Sequence, residues 1–205
     1  MKSRIQKGMI AGFAATAVVA ILEVAKLYLT QSTGAFAEVR IFPLILAAMV
    51  GMQGSYLVGW AIHFVSGTLI LGPAFGILCP RMPTDTPATK GILFAVGAFI
   101  LMSLTVAPVA GIGMFAMAAG FPTLIWLIFT HIVFGITMGG IYGTLVQREK
   151  RHAREMANAQ PALCSVRRQA ETKKAPPDDW RGLFDSRMCV RSVQARPYLG
   201  DGLVG

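Results

Sequence analysis

From Gly91 to Gln147 the chain contains no Lys, Arg, Asp or Glu. A soluble domain needs a polar surface, and charged side chains almost always lie there. A run this long without charge can fold only where something other than water surrounds it. Backbone amides and carbonyls in such surroundings must satisfy one another, which leaves helices or a closed β-barrel. A barrel requires strands that alternate apolar and polar residues. This sequence does not alternate, so helices are predicted.

The rest of the composition agrees. Hydrophobic residues make up 54% of the 205 and charged residues 14%. A soluble domain has roughly 45–50% and about 25%. Crossing a hydrocarbon core of about 30 Å takes roughly 20 apolar residues. Four segments are long enough, at about 8–29, 57–79, 91–109 and 124–146. They predict an all-α integral membrane four-helix bundle over residues 1–149.

Basic residues set the expected orientation. Lys2, Arg4 and Lys7 precede the first span, and Arg81 and Lys90 flank the loop between the second and third. Arg148, Lys150, Arg151 and Arg154 follow the fourth. The other two loops offer only Arg40, beside Glu38. By the positive-inside rule both termini and the middle loop are cytoplasmic. Trp60 and Trp126 near the outer ends fit an aromatic belt. The N-terminus superficially resembles a secretory signal, with Ala35-Phe36-Ala37 as a cleavage site. Glu23 and Lys26 interrupt its apolar run, which favours an uncleaved span. The formal charge of +9 belongs to cytoplasmic loops and a basic tail, so the lipid bilayer is the expected partner and nucleic acid is not. Cys79, Cys164 and Cys189 have no metal-ligand or disulfide rhythm and are expected to be free thiols.

Two halves of the sequence correspond. Lys7-Gly8 opens span one and Lys90-Gly91 opens span three. His63-Phe64-Val65-Ser66-Gly67 in span two matches His131-Ile132-Val133-Phe134-Gly135 in span four. Gly72 and Gly140 follow nine residues after each His, and Phe75-Gly76 and Tyr142-Gly143 close the spans. This predicts a duplicated helical hairpin whose copies run parallel, related by an axis along the membrane normal. Ile41–Gly51 is too short to span and is expected to be interfacial or re-entrant. Pro108–Gly120 is expected to continue span three as a broken helix or to lie at the outer interface.

Gly59, His63 and Gly67 form one stripe on span two, and His131, Gly135, Gly139 and Gly143 form another on span four. Small residues at this spacing let helix backbones approach closely, within the bundle or against a second copy or membrane partner. Each stripe carries a histidine toward the interior. An ionisable residue inside a span is a functional candidate. A neutral imidazole bonded to a neighbouring helix, through Ser66, Thr130 or Thr137, is the simplest reading. Haem b ligation by His63 and His131 is the second, since His is a common axial ligand. Copper is the third, because Met49, Met52, Met102, Met114 and Met117 fall toward the outer half and thioether with imidazole suits Cu(I); methionine also fills apolar gaps without ligand duty. Coupling of protonation to transport is the fourth. Glu23 and Lys26, three residues apart, share a helix face. They are expected to pair inside the membrane with Lys26 snorkelling outward. A proton-relay role for Glu23 would not be duplicated, since span three has no matching acid.

Residues 150–205 carry eleven basic and six acidic residues and Pro161, Pro176 and Pro177. A short helix over 148–156 is expected, then a largely disordered cytoplasmic tail. No GxSxG, Walker loop or HExxH is present, so nothing points to an enzyme.

These residues carry a resemblance. Lys7-Gly8 through Thr16, Gly59-Trp60 with His63-Phe64, Lys90-Gly91 with Phe94, and Pro108 through Gly113 with Phe115 resemble a family of small bacterial multi-span membrane proteins of unknown function. His131, Gly135, Gly139-Gly140 and Tyr142-Gly143 extend the match, which covers roughly residues 4–144. The resemblance implies an inner-membrane protein and supplies no activity. Glu23 departs from the pattern, where an apolar residue or Met would be expected. The resulting expectation is a structural or accessory subunit or a small carrier, with a haem- or metal-binding redox protein as the alternative.

Overall fold

The computed structural model describes residues 2–174. Among them every regular element is helical. Four helical segments are long and apolar enough to cross a membrane: Arg4–Thr33, Tyr56–Arg81, Pro87–Val109 and Phe121–Ala159. Met1–Val146 forms one compact unit and Gln147 begins a second.

Helix α1 (Lys2–Thr33) contains the first of these segments, and the four are numbered below as candidate spans. Its hydroxyls are satisfied within the helix: Thr16 Oγ1 donates to Gly12 O at 2.7 Å, and Thr30 Oγ1 to Lys26 O at 2.9 Å. A short helix, α2 (Phe42–Met49), follows. It buries Pro43, Ile45, Leu46 and Ala47 and packs closely on the start of span two, where a Cβ at Gly59 would overlap the Pro43 backbone.

Span two is composite. Helix α3 (Tyr56–Val65) starts at Ser55, whose side chain accepts from Val58 N. A π-helical segment, Ser66–Leu71, follows, then α4 (Gly72–Leu78). Pro73 gives a local reason for the widened turn. It has no N–H, and in an α-helix its ring would meet the carbonyl four residues back, here Leu69. The widening also changes the glycine register. Gly67 and Gly72 are five residues apart in span two, whereas Gly135 and Gly139 in span four are four apart. A π segment absorbs one extra residue, so Gly67, Gly72 and Gly76 all still face α1.

Span three is α5 (Pro87–Leu104), capped by Thr86 accepting from Thr89 N, and α6 (Val106–Val109). Pro108 lies four residues after Leu104, and the helix breaks at Thr105, where φ is −115° and ψ −65°. A 3₁₀ turn, Met114–Ala119, then leads to α7 (Phe121–Lys174). Phe115 and Ala116 within it hold left-handed φ of 54° and 57°, which non-glycine residues adopt at some energetic cost. The helix expected over 148–156 runs on to Lys174; the remainder of the expected tail, 175–205, lies outside the described residues.

Glycine seams join the spans in pairs. A Cβ at Gly8 would overlap the backbone of Gly72, and one at Gly12 would overlap Gly67. Gly91 meets Gly135 in the same way, and Gly139 meets Pro87. Where the pairs come together, Ala11, Ala15, Phe75, Phe94, Met138 and Tyr142 form a core. Phe75 contacts Phe94 and Tyr142 edge to face, each at 5.3 Å between centroids. A second core, including Ile45, Ala107, Ala116 and Leu127, closes the end where α2 and the 3₁₀ turn lie.

Candidate functional site

Two polar groupings lie inside the apolar bundle. The first is built on Glu23 and Lys26, which are 1% and 2% exposed. Lys26 Nζ donates to Glu23 Oε1 at 2.6 Å and to Arg40 O at 3.1 Å. It also lies 5.3 Å from the centroid of the Trp126 ring, close enough for a cation–π contact. Glu23 Oε1 accepts from Phe42 N at 2.9 Å, and Oε2 from Trp126 Nε1 at 2.9 Å. Arg40 N in turn donates to Thr123 Oγ1 at 3.1 Å. Removing two charges from water costs several kcal/mol each unless additional hydrogen bonds satisfy them. Here both carboxylate oxygens and the ammonium have such partners. The network ties α1 to the segment entering α2 and to the start of α7. Lys26 therefore does not snorkel outward. The inward alternative wins because the Arg40 carbonyl and the Trp126 ring receive it. Trp126 donates its indole N–H to Glu23.

The second grouping is a cavity of about 230 Å³ bounded by α1, α2 and the second, third and fourth spans. His63 and His131 both line it, as do Thr16, Ser66, Met49 and Met102. No Lys, Arg, Asp or Glu is among its lining residues. His63 Nε2 lies 3.3 Å from Thr16 O, and His131 Nδ1 lies 2.7 Å from Leu127 O. The partners are thus backbone carbonyls and not the hydroxyls of Ser66, Thr130 or Thr137. Ser66 Oγ instead donates to the His63 carbonyl at 3.1 Å, and Thr130 Oγ1 to Trp126 O and Leu127 O, both at 3.0 Å. Aromatic rings frame each imidazole. Phe42, Trp60 and Phe64 surround His63 at 5.0, 5.7 and 5.7 Å, and Phe99 lies 5.3 Å from His131.

The glycines singled out in the sequence divide between roles. Gly59 faces Pro43, Gly67 faces Thr16, and Gly135, Gly139 and Gly143 face span three at Gly91 and Pro87. Gly140 has open space where a Cβ would stand, so Gly139 is the packing counterpart of Gly72. The sequence pattern does not mark Thr16, Arg40, Phe42 or Thr123, because their parts are played by backbone groups or by hydroxyls common in any membrane helix.

No cluster of three or more His, Cys, Asp or Glu able to hold a metal ion occurs among the described residues. A two-histidine site would need Met49 and Met102, which line the same cavity. A haem is harder to place. About 230 Å³ is below the roughly 300–1,000 Å³ of pockets that hold drug-sized ligands, and a porphyrin exceeds most of those ligands.

Architecture and site together define a helical protein with four potential membrane spans, a buried polar clasp and a histidine-lined apolar cavity. The chain belongs to the family of unknown function DUF6789, whose model matches residues 2–153. No curated protein and no solved structure matches it.

Proposed function

We propose that the chain is a bacterial inner-membrane protein that acts without catalysis, as a small carrier or accessory subunit, through the cavity shared by His63 and His131. The observation that carries the membrane reading is the outward turn of the apolar surface. Only 39% of the apolar window of the first span is buried, and 17% of that of the third. Leu57, Ile70 and Leu101 are among the exposed side chains. Apolar patches of this extent require a partner other than water, and lipid is that partner. Basic residues at both termini and between spans two and three support cytoplasmic placement of those ends. The matched seams, Gly8 with Gly72 and Gly91 with Gly135, support two parallel copies of one hairpin.

Reporter fusions test the topology. A fluorescent protein fused to the C-terminus should be active in the cytoplasm. Alkaline phosphatase inserted at the turn around Gly51 should be active outside. The opposite pattern overturns the orientation.

A second reading, copper held by His63, His131, Met49 and Met102, is favoured by their shared cavity and by the suitability of imidazole and thioether for Cu(I). Metal analysis of the purified protein after loading with Cu(I) decides it. Stoichiometric copper lost in both His63→Ala and His131→Ala supports this reading; a metal-free protein sinks it.

A further inference from the structure

We propose that the cavity binds a neutral, lipid-soluble phenol or quinol, admitted sideways from the hydrocarbon between spans two and three. Its hydroxyl donates its one proton to an unprotonated ring nitrogen, that of His63 or that of His131. This rests on the reading of the cavity as the working site and names the class of its ligand.

The tautomers come first. A carbonyl oxygen can only accept, so His63 Nε2 and His131 Nδ1, facing Thr16 O and Leu127 O, must each carry the proton. In a neutral imidazole the other nitrogen is then a bare acceptor. Two histidines from different spans thus contribute one acceptor each, His63 Nδ1 and His131 Nε2. A ligand hydroxyl satisfies an acceptor to which no protein group donates.

The surroundings select for neutrality. The lining has no charged residue, and an ion taken there would lose its hydration without a counter-charge. Rings select for a ring. Phe42, Phe134 and the two imidazoles line the cavity and offer edges and faces to an aromatic headgroup. The volume of about 230 Å³ suits one small ring, with any alkyl chain left outside.

The mouth is set by exposure. Ile70 of span two and Leu101 of span three line the cavity yet are 62% and 63% exposed, and Thr105 beside them is exposed too. On the opposite wall His63 and Thr130 are buried. The opening therefore faces outward through the sides of two membrane-spanning segments, where the molecule presents its apolar surface. A solute reaches it from the bilayer.

The test uses the full chain in lipid nanodiscs, with empty nanodiscs subtracted, and two labelled probes: 4-nonylphenol and its methyl ether, 4-nonylanisole. The ether keeps the ring, the chain and the oxygen and replaces the donor hydrogen by a methyl group. Saturable phenol binding at one site per chain is expected, with the ether about tenfold weaker, the 1.4 kcal/mol of one well-placed hydrogen bond. Of His63→Phe and His131→Phe, the one that removes the acceptor should weaken the phenol about tenfold and leave the ether unchanged; full phenol affinity in both variants overturns the donor assignment. Ala98→Phe, which fills the cavity from its wall, should abolish both. Equal affinity for the two probes overturns the donor assignment and leaves the cavity as a site. Binding undiminished by Ala98→Phe, or no saturable binding of either probe, overturns the cavity reading as well. Should the His variants fail to fold, the phenol–ether comparison on the unaltered protein decides alone. One copper per chain that displaces the phenol assigns the nitrogens to a metal and overturns the proposal.

Discussion

At the scale of single residues, Glu23 and Lys26 carry the greatest energetic consequence. Each is buried, and each is held by atoms far away in sequence: the Phe42 amide and the Trp126 indole on the acid, the Arg40 carbonyl on the base. Lys26→Met should leave a lone buried carboxylate and destabilise the protein by about 3–5 kcal/mol, read as a lowered midpoint of unfolding in an SDS titration. Glu23→Gln combined with Lys26→Met should lose less than Lys26→Met alone, because the amide still accepts from Phe42 N and no charge remains unpaired. A double variant worse than the single would mean that the ion pair itself, rather than its satisfaction, is stabilising. The pairing of Glu23 with Lys26 is legible from their spacing of three. Its inward direction is not, since a lysine near a helix end can equally reach outward. Only the arrival of Arg40 and Trp126 decides between the two.

At the scale of elements, the seams and the π segment are the testable features. Gly91 has no room for a side chain, because its Cβ would overlap the Gly135 backbone. Gly91→Leu should pry spans three and four apart and lower stability by about 1–3 kcal/mol or more. Gly140→Ala enters open space, and should be neutral or stabilising by up to about 1 kcal/mol through helix propensity. The same unfolding titration ranks the two, and equal losses would refute the seam. The π segment invites a deletion. Removing Leu69, exposed within Ser66–Leu71, would leave Gly67 and Gly72 four apart, as Gly135 and Gly139 are. It should be tolerated, judged by a monodisperse folded fraction in detergent. Removing Ile136, exposed in span four, should not, since the remaining helix would rotate about 100° out of register with Gly91. Periodicity made the spans and most glycine contacts legible. It paired Gly72 with Gly140, because a count along the chain has no means of seeing one residue absorbed by a wider turn.

At the scale of the whole molecule, the cavity lies where parts of the two hairpins meet around it, so neither hairpin alone would enclose it. Filling it should matter to the assembled protein in a way that filling surface space does not. Ala98→Phe should shift the unfolding midpoint little while removing phenol binding; a large stability loss would instead mark the space as part of the packed core. By itself, the sequence determined that the chain is helical, where its four apolar segments lie, and that two histidines fall on glycine stripes. These follow from local rules: chain length against bilayer thickness, the absence of charge, and spacing along a helix. Only the tertiary structure decided that Lys26 turns inward, that Gly139 and not Gly140 packs, and that both imidazoles donate to backbone carbonyls and border one cavity. Those outcomes depend on which backbone groups and rings arrive from segments tens of residues away, and a helical repeat contains no record of that arrival.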